Sequence, residues 1–553
     1  GLTITAPSGQ IGDNPIIKLR GNVGTLGTDG GAEPLILVDN VEVPNLQMIN
    51  PQDIENISVL KDAASTSIYG ARGTWGVILI TTKKGKRNTA PTVSYSNNFS
   101  WQTPTTMPEI APAAEGAEMA LAAVRRRIPD LPSFGTVGMY FDDLGVQKMR
   151  EWEQQYGGQD LGPEMVLGRD FEIRDGRLFF YRSWDAMDLF VKQWTPQQKH
   201  DLSVSGGSEN TNYYLGLGYL DQVGVLKTNP DEYNRYNVNL SVNSSITDWF
   251  STRANLQYNS SLTTQPFYFS SATYDPWYYV TRWPASYPYG TYEGHPFRNH
   301  ISEVEQAKMN EYTDNMTRIT LGGTITPIED LSIDFDYTHD RNEGHDYMVG
   351  GVLSAYNFWA TGANLVYEPY SSSAYNRVQY NSNWSNRNTA KAFATYNKLL
   401  GEDHEFKVIA GGDYEEYEYW FHSSQRRNLI DPNMGELDLA TGDQYVDGSR
   451  DKWRNLGFFG RINYSFQNKF LLELNGRYDG ASRLSAEEKW AFFPSFSAGY
   501  VLTEEDYMDF ADPYLSFLKI RGSWGELGNP NAGLGNIYRI MDPYNSGWII
   551  DGT

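Results

Sequence analysis

Beyond Pro91 the chain becomes a procession of strict apolar–polar alternations, and no other feature limits its fold as much. Tyr236, Val238, Leu240 and Val242 alternate with Asn237, Asn239, Ser241 and Asn243. Ala254, Leu256 and Tyr258 alternate with Arg253, Asn255, Gln257 and Asn259. Leu331, Ile333, Phe335 and Tyr337 alternate with Ser332, Asp334, Asp336 and Thr338, and a further run starts at Phe470. A period of two with one apolar and one polar face means strands that separate two different solvents. In a soluble sandwich the apolar face would meet a second sheet. In a membrane barrel it meets lipid, while the polar face lines a wet lumen. Connection lengths decide for the barrel. The links at 246–248, 327–329 and 467–468 are tight, whereas those at 262–316, 348–388 and 423–453 are very long. Short turns at one end and long loops at the other fit a barrel, and long structureless loops are uncommon in compact domains.

Composition agrees. No apolar run approaches the roughly 18 residues of a membrane-spanning helix. The 38 tyrosines and 15 tryptophans suit the aromatic girdles of a barrel. A net charge of −23 argues against nucleic acid, because little here neutralises phosphate. The basic run Arg125-Arg126-Arg127 ends a helical pattern over 113–128, where arginine complements the helix dipole. The absence of cysteine excludes disulfides and thiolate metal sites.

Residues 34–86 have a different character. A strand (Leu35 to Val38) ends in Asp39-Asn40, and a Pro-opened turn (Pro51 to Glu55) leads into a second strand, Ile57 to Leu60. A small-residue helix (Asp62 to Ile68) stops at Tyr69-Gly70, and a strand from Gly76 to Thr82 runs into Lys83-Lys84-Gly85-Lys86. Gly70, Gly73 and Gly76 are not a nucleotide loop, because they follow a helix and precede a strand. Gly70 is expected to end the helix, and Gly76 to let the backbone enter the strand.

The wording DIENISVLKDAASTSIYGARGTWGVILITTKKG closely resembles the plug of TonB-dependent outer-membrane receptors, in particular the SusC/RagA branch. HDLSVSGG from His200, YDGASR from Tyr478 and LKIRGSWGELGN from Leu518 resemble the same branch. The resemblance implies an all-β membrane protein with a small α/β plug. Residues 1–90 would be the C-terminal part of the plug, and 91–553 the N-terminal portion of a transmembrane antiparallel barrel. Such barrels have 22 strands, and about a dozen are countable here, so the chain is expected to be an internal stretch of a longer one. The implied function is TonB-dependent active import of a nutrient across the bacterial outer membrane, with oligosaccharide the first expectation and peptide the second. Its implied partners are a SusD-like surface lipoprotein lid, the TonB–ExbB–ExbD energy-coupling complex and outer-membrane lipid. Arg20, Asp39, Lys61, Asp62 and Arg72 are the plug charges expected to pair with the wall or with one another. The sequence departs from the branch at Asp39-Asn40 and Thr74-Trp75, which keeps open a structural subunit of an outer-membrane assembly that does not transport.

No catalytic constellation is present, so no enzyme is expected. The seven histidines lack zinc spacing, and no GxSxG elbow occurs. The acidic stretches DYEEYEYW from Asp413 and 431–447 could offer oxygens to Ca²⁺. Gly435 stands where a calcium loop needs a ligand, so a solvated loop is expected and no cofactor. The loop 266–297 concentrates rings, among them Trp277, Tyr278, Tyr279, Trp283, Tyr287 and Tyr289. Flat amphipathic rings make contact surfaces at low entropic cost, so this segment is expected outside the cell, touching either substrate or lid.

Overall fold

The computed structural model describes residues 2–5, 11–12, 15–19, 34–43, 46–61, 63–66, 69, 73, 75–267, 282–371, 375–484, 487, 489–511 and 514–526. Its dominant element is one antiparallel sheet of 13 strands in sequence order. These wall strands are β1 (Thr89–Gln102), β2 (Thr195–Gly207), β3 (Thr211–Val223), β4 (Glu232–Ser245), β5 (Phe250–Pro266), β6 (Met309–Ile328) and β7 (Leu331–Val349). They continue with β8 (Arg377–Leu400), β9 (His404–Arg427), β10 (Gln444–Phe466), β11 (Phe470–Ala481), β12 (Trp490–Val501) and β13 (Lys519–Gly525). No helix among the described residues is long and apolar enough to cross a membrane. The wall crosses with strands.

Burial along the wall is inverted relative to a soluble protein. In β4 the residues Arg235, Asn237, Asn239 and Ser241 are buried, whereas Tyr236 is exposed and Val238 and Leu240 are half-exposed. The polar phase faces the plug and the apolar phase faces lipid, as the alternation requires. An arginine at Leu240 or Leu256 is therefore expected to cost about 2–4 kcal/mol near mid-membrane, measurable by urea unfolding of the full-length protein in bilayers. Equal costs on the two faces would contradict this orientation. The lumen side is not uniformly permissive, however. Asn239 lies beneath the plug at 4% exposure, so an arginine there has no room. Asn255 borders a cavity of about 230 Å³ between plug and wall, beside Arg253 and Asp336, and should accommodate one.

The long connections are shorter than the alternation suggests, because β8 and β9 each run for 24 residues. At roughly 3.4 Å per residue such strands are more than twice the hydrocarbon thickness of a bilayer. Above an aromatic ring that includes Tyr478 stacked on Trp490 at 4.9 Å, their outer faces turn charged. Glu416 meets Lys452 at 2.9 Å and Arg454 at 3.0 Å, and Glu418 meets Arg450 at 2.8 Å. With water on both faces the apolar–polar rhythm disappears while the strand continues. The acidic stretch DYEEYEYW thus splits by phase. Asp413 turns inward to Arg477 at 2.8 Å, while Glu416 and Glu418 turn outward.

The long side also carries a separate aromatic-cored unit. The connection 103–194 contributes the helices Ala113–Arg125 and Asp143–Tyr156, a short third one at Ala186–Phe190, and a four-stranded sheet. Asp142 caps the second helix through the Gly145 amide, and Arg125 clamps Asp143 through both carboxylate oxygens at 2.8 and 3.0 Å. Phe171, Phe297 and Phe358 pack at its centre with no measurable exposure, and Phe180 beside them is fully buried too, at 2% exposure. Residues from 282–299 and 354–370 complete that core, so three wall connections fold as one body.

Inside the wall sits a four-stranded sheet: Val41–Glu42, Leu35–Val38, Val77–Thr82 and Ile54–Leu60 in that order. Leu35–Val38 runs parallel to Val77–Thr82 and antiparallel to Val41–Glu42. The two-residue turn between the latter pair, Asp39-Asn40, has positive φ at both positions (48° and 70°), the geometry that asparagine and aspartate tolerate best. Gly76 enters its strand at φ 96°. Gly70 lies outside the described residues. Ile17, Val38, Ile78 and Ile80 form the core of this small unit.

Candidate functional site: the plug and its wall

The contacts that hold the small sheet inside the wall are polar and come mainly from its connecting segments, with the strand residue Glu42 beside them. Asn50, which caps the turn Pro51–Asp53 through the Gln52 amide, donates to Asp201 on β2 at 2.7 Å. Asp53 accepts from the Tyr214 hydroxyl on β3 at 2.7 Å. Burial raises the Asp53 carboxyl above the ordinary range. The Tyr214 hydrogen bond opposes that rise and the nearby Asp201 charge adds to it. Arg235 donates to the Gln47 carbonyl, and Asn237 and Asn259 both donate to the Met48 carbonyl at 3.1 and 3.3 Å. Farther round the wall, Arg318 donates to the Glu42 carbonyl at 2.7 Å and pairs with Asp340. Arg387 meets the Glu42 carboxylate at 2.9 Å.

These partners differ from the charges expected on sequence grounds. Asp39 does not reach the wall. It accepts from the Thr82 amide and hydroxyl at 3.0 and 2.6 Å, and so ties its own hairpin to the neighbouring strand. Lys61 is exposed. Arg20, Asp62 and Arg72 lie outside the described residues. The residues that sequence reasoning missed, Arg235, Arg318 and Arg387, each sit at a polar-phase position of an alternating strand. Phase was the available signal, since a cation in that phase points at the plug.

The aromatic loop is likewise redistributed. Trp277, Tyr278 and Tyr279 lie outside the described residues. Tyr287 has no exposure and donates to the Arg298 carbonyl at 2.7 Å, with Trp283 stacked on it at 5.1 Å. Burial lifts the Tyr287 and Tyr289 phenols above their usual range. Trp283 and Tyr289 pack on the same core as partly buried rings. Tyr287 is thus core in this structure, not the surface ring expected from sequence. His295 stacks on Tyr367 at 3.9 Å, and His300 lies against Phe190 and Glu303, so the two histidines of this loop serve different contacts.

A polar-faced wall enclosing a small α/β unit narrows the possible families sharply. The TonB-dependent receptor plug family matches residues 1–77, and the TonB-dependent receptor-like β-barrel family matches residues 264–552. The chain belongs to the TonB-dependent receptor family. TonB-dependent receptor P26 of Formosa agariphila is 26% identical over 572 residues, covering 99% of this chain and 49% of that protein. TonB-dependent receptor SusC of Bacteroides thetaiotaomicron is 25% identical and covers 96% of this chain and 49% of its own length. The chain therefore spans about half the length of the curated relatives it matches. The RagAB peptide importer in its open-open state shares the fold at TM-score 0.73 and 22% identity, over 97% of this chain and 57% of that one. The 13 receptor strands described here form an open sheet ending at β1 and β13.

Proposed function

We propose that this receptor imports a nutrient actively across the bacterial outer membrane, with oligosaccharide and peptide as the candidate substrate classes. One observation carries the reading: the lumen holds a separate folded unit attached through side-chain hydrogen bonds and ion pairs, with a cavity bordered by Arg253, Asp336 and Lys391 left beside it. Such contacts are individually weak in a wet interface, which suits a plug that must be displaced and then return. The outer membrane has no ATP, so the work comes mechanically from the inner membrane through a TonB–ExbB–ExbD complex acting on the plug. A SusD-type surface lipoprotein closes over the long-loop side. Trp277, Tyr278, Tyr279, Trp283 and Tyr289 are proposed contacts to substrate or lid. The burial of Tyr287 weakens the sugar-platform argument for this loop.

Uptake of labelled oligosaccharides and peptides by cells expressing the full-length receptor tests this reading. Uptake should disappear in a deletion strain, return on complementation, and collapse when a protonophore removes the energy source. A deletion strain that takes up every solute at the native rate but loses an outer-membrane assembly would instead favour a structural subunit.

A further inference from the structure

Above the plug, the lumen face of β8 and β9 carries two arginines directly opposite each other in the ladder, Arg377 and Arg427. Like charges in that relation cost stability, and both guanidinium groups are held in place by rings. Arg377 lies over Phe267 at 5.4 Å and Arg427 over Tyr445 at 4.3 Å. The Arg427 Nε is buried with no hydrogen bond among the described residues. The next inward-facing rung toward the plug is Gln379 opposite Gln425, and the one after it is Asn381 opposite Ser423. Asn381 donates to Asp346 at 3.0 Å, and Asp314 stands on the adjacent β6 one inward-facing position beyond the Tyr312 that pairs with Asp346. Along the inward face of β7 to β9 the column thus runs from two arginines through amides to Asp346, with Asp447 of β10 opposite Ser423 adding a carboxylate at the lower rung.

We propose that this column is a substrate clamp for a dipolar solute, a short peptide with free termini, whose carboxylate bridges Arg377 and Arg427 and whose ammonium meets Asp346 and Asp314. The inference rests on the import reading and names its substrate class. Two guanidinium groups bind one carboxylate through parallel charge-assisted hydrogen bonds, which removes their mutual repulsion. The amide rungs between are donors and acceptors suited to peptide groups. Four residues separate the arginine rung from the Asn381 rung, about 13 Å along a strand. An extended chain covers about 3.3–3.6 Å per residue, so the spacing fits a peptide of about three to five residues. An acidic oligosaccharide would satisfy the arginines but offers the carboxylates only neutral hydroxyl donors and no cation.

Equilibrium dialysis of the full-length solubilised receptor against a randomised tetrapeptide pool, read by mass spectrometry, tests the clamp. The free-terminus pool should be retained at least ten-fold better than the same pool acetylated and amidated at its ends. Arg427→Gln should remove that preference for a free C-terminus, and Asp346→Asn that for a free N-terminus. Arg450→Gln, on the outer face, should change neither, and the heat-modifiable mobility of each variant on gels verifies its folding. Arg427→Lys should restore part of the retention. Equal retention of free and blocked pools, or no retention of peptides, overturns the clamp. Retention of tetragalacturonate that depends on Arg427 but not Asp346 overturns it in favour of an acidic sugar. If a neutral maltotetraose is imported and peptides are not, active import stands and only the clamp falls.

Discussion

Uptake is expected to fall to background when the plug is stapled to the wall by Asp53→Cys and Gly216→Cys, while solute binding from outside persists. A Cβ at Gly216 would lie 3.0 Å from the Asp53 Cγ. One further carbon–carbon bond of about 1.5 Å keeps the two Cβ atoms within about 4.5 Å, the span of a disulfide. The chain has no cysteine to compete. The native attachment at this point is the Tyr214–Asp53 hydrogen bond, worth no more than about 1.5–3 kcal/mol net to a charged group. A covalent bond resists what such a contact yields to. Reductant should restore uptake, and the control that cannot cross-link is Asp53→Cys with Gly216→Ala, because a Cβ at Gly216 would collide with the native Asp53 Oδ1. Undiminished uptake through a cross-link verified by mass spectrometry would show that the Asp53 region does not move during transport.

The wall was legible because two solvents impose a period of two, and the phase of that period located both faces. It became illegible where β8 to β10 leave the membrane. There Glu416, Glu418, Arg450 and Lys452 occupy the outer phase, so polarity no longer distinguishes outside from inside and strand reads as loop. The plug strands were legible as short apolar runs between turn residues, but Asp39-Asn40 reads in the sequence only as a strand end, where the structure has a hairpin turn with positive φ at both positions. The plug's attachment was not legible. Sequence draws attention to plug charges, yet Asp39 is spent within the plug on Thr82 of the neighbouring strand, while the backbone carbonyls of Gln47, Met48 and Glu42 take the wall's donors. Carbonyls belong to every residue, so nothing in the plug sequence marks those three. The polar-phase donors of the wall, Arg235 and Arg318 and the asparagines Asn237 and Asn259, were the readable half of each pair. The aromatic loop failed for a related reason: a ring that packs a core and a ring that binds a ligand are spelled identically. Only the partner rings Phe171, Phe180 and Phe358, far away in sequence, show which use applies.

Phe297→Ala therefore separates the two uses of that loop. Phe297 has no exposure and packs its ring against Phe171 at 5.4 Å, Phe180 at 5.5 Å and Tyr356 at 5.6 Å. Truncating a fully buried phenylalanine costs about 3–5 kcal/mol, because the transfer energy is lost and a cavity remains. The loss should fall on the aromatic-cored unit, since Phe297 joins the connections 103–194, 267–308 and 350–376 there. Amide hydrogen exchange should accelerate across Phe171–Arg174, Arg177–Phe180 and Ser354–Tyr356, while β8 and β9 keep their protection. Phe297→Leu, which leaves most of the volume filled, should cost far less. If both variants instead keep full protection in these strands and lose affinity for solute or lid, Phe297 acts by contact, and the surface expected from the sequence lies closer to this ring than its burial indicates.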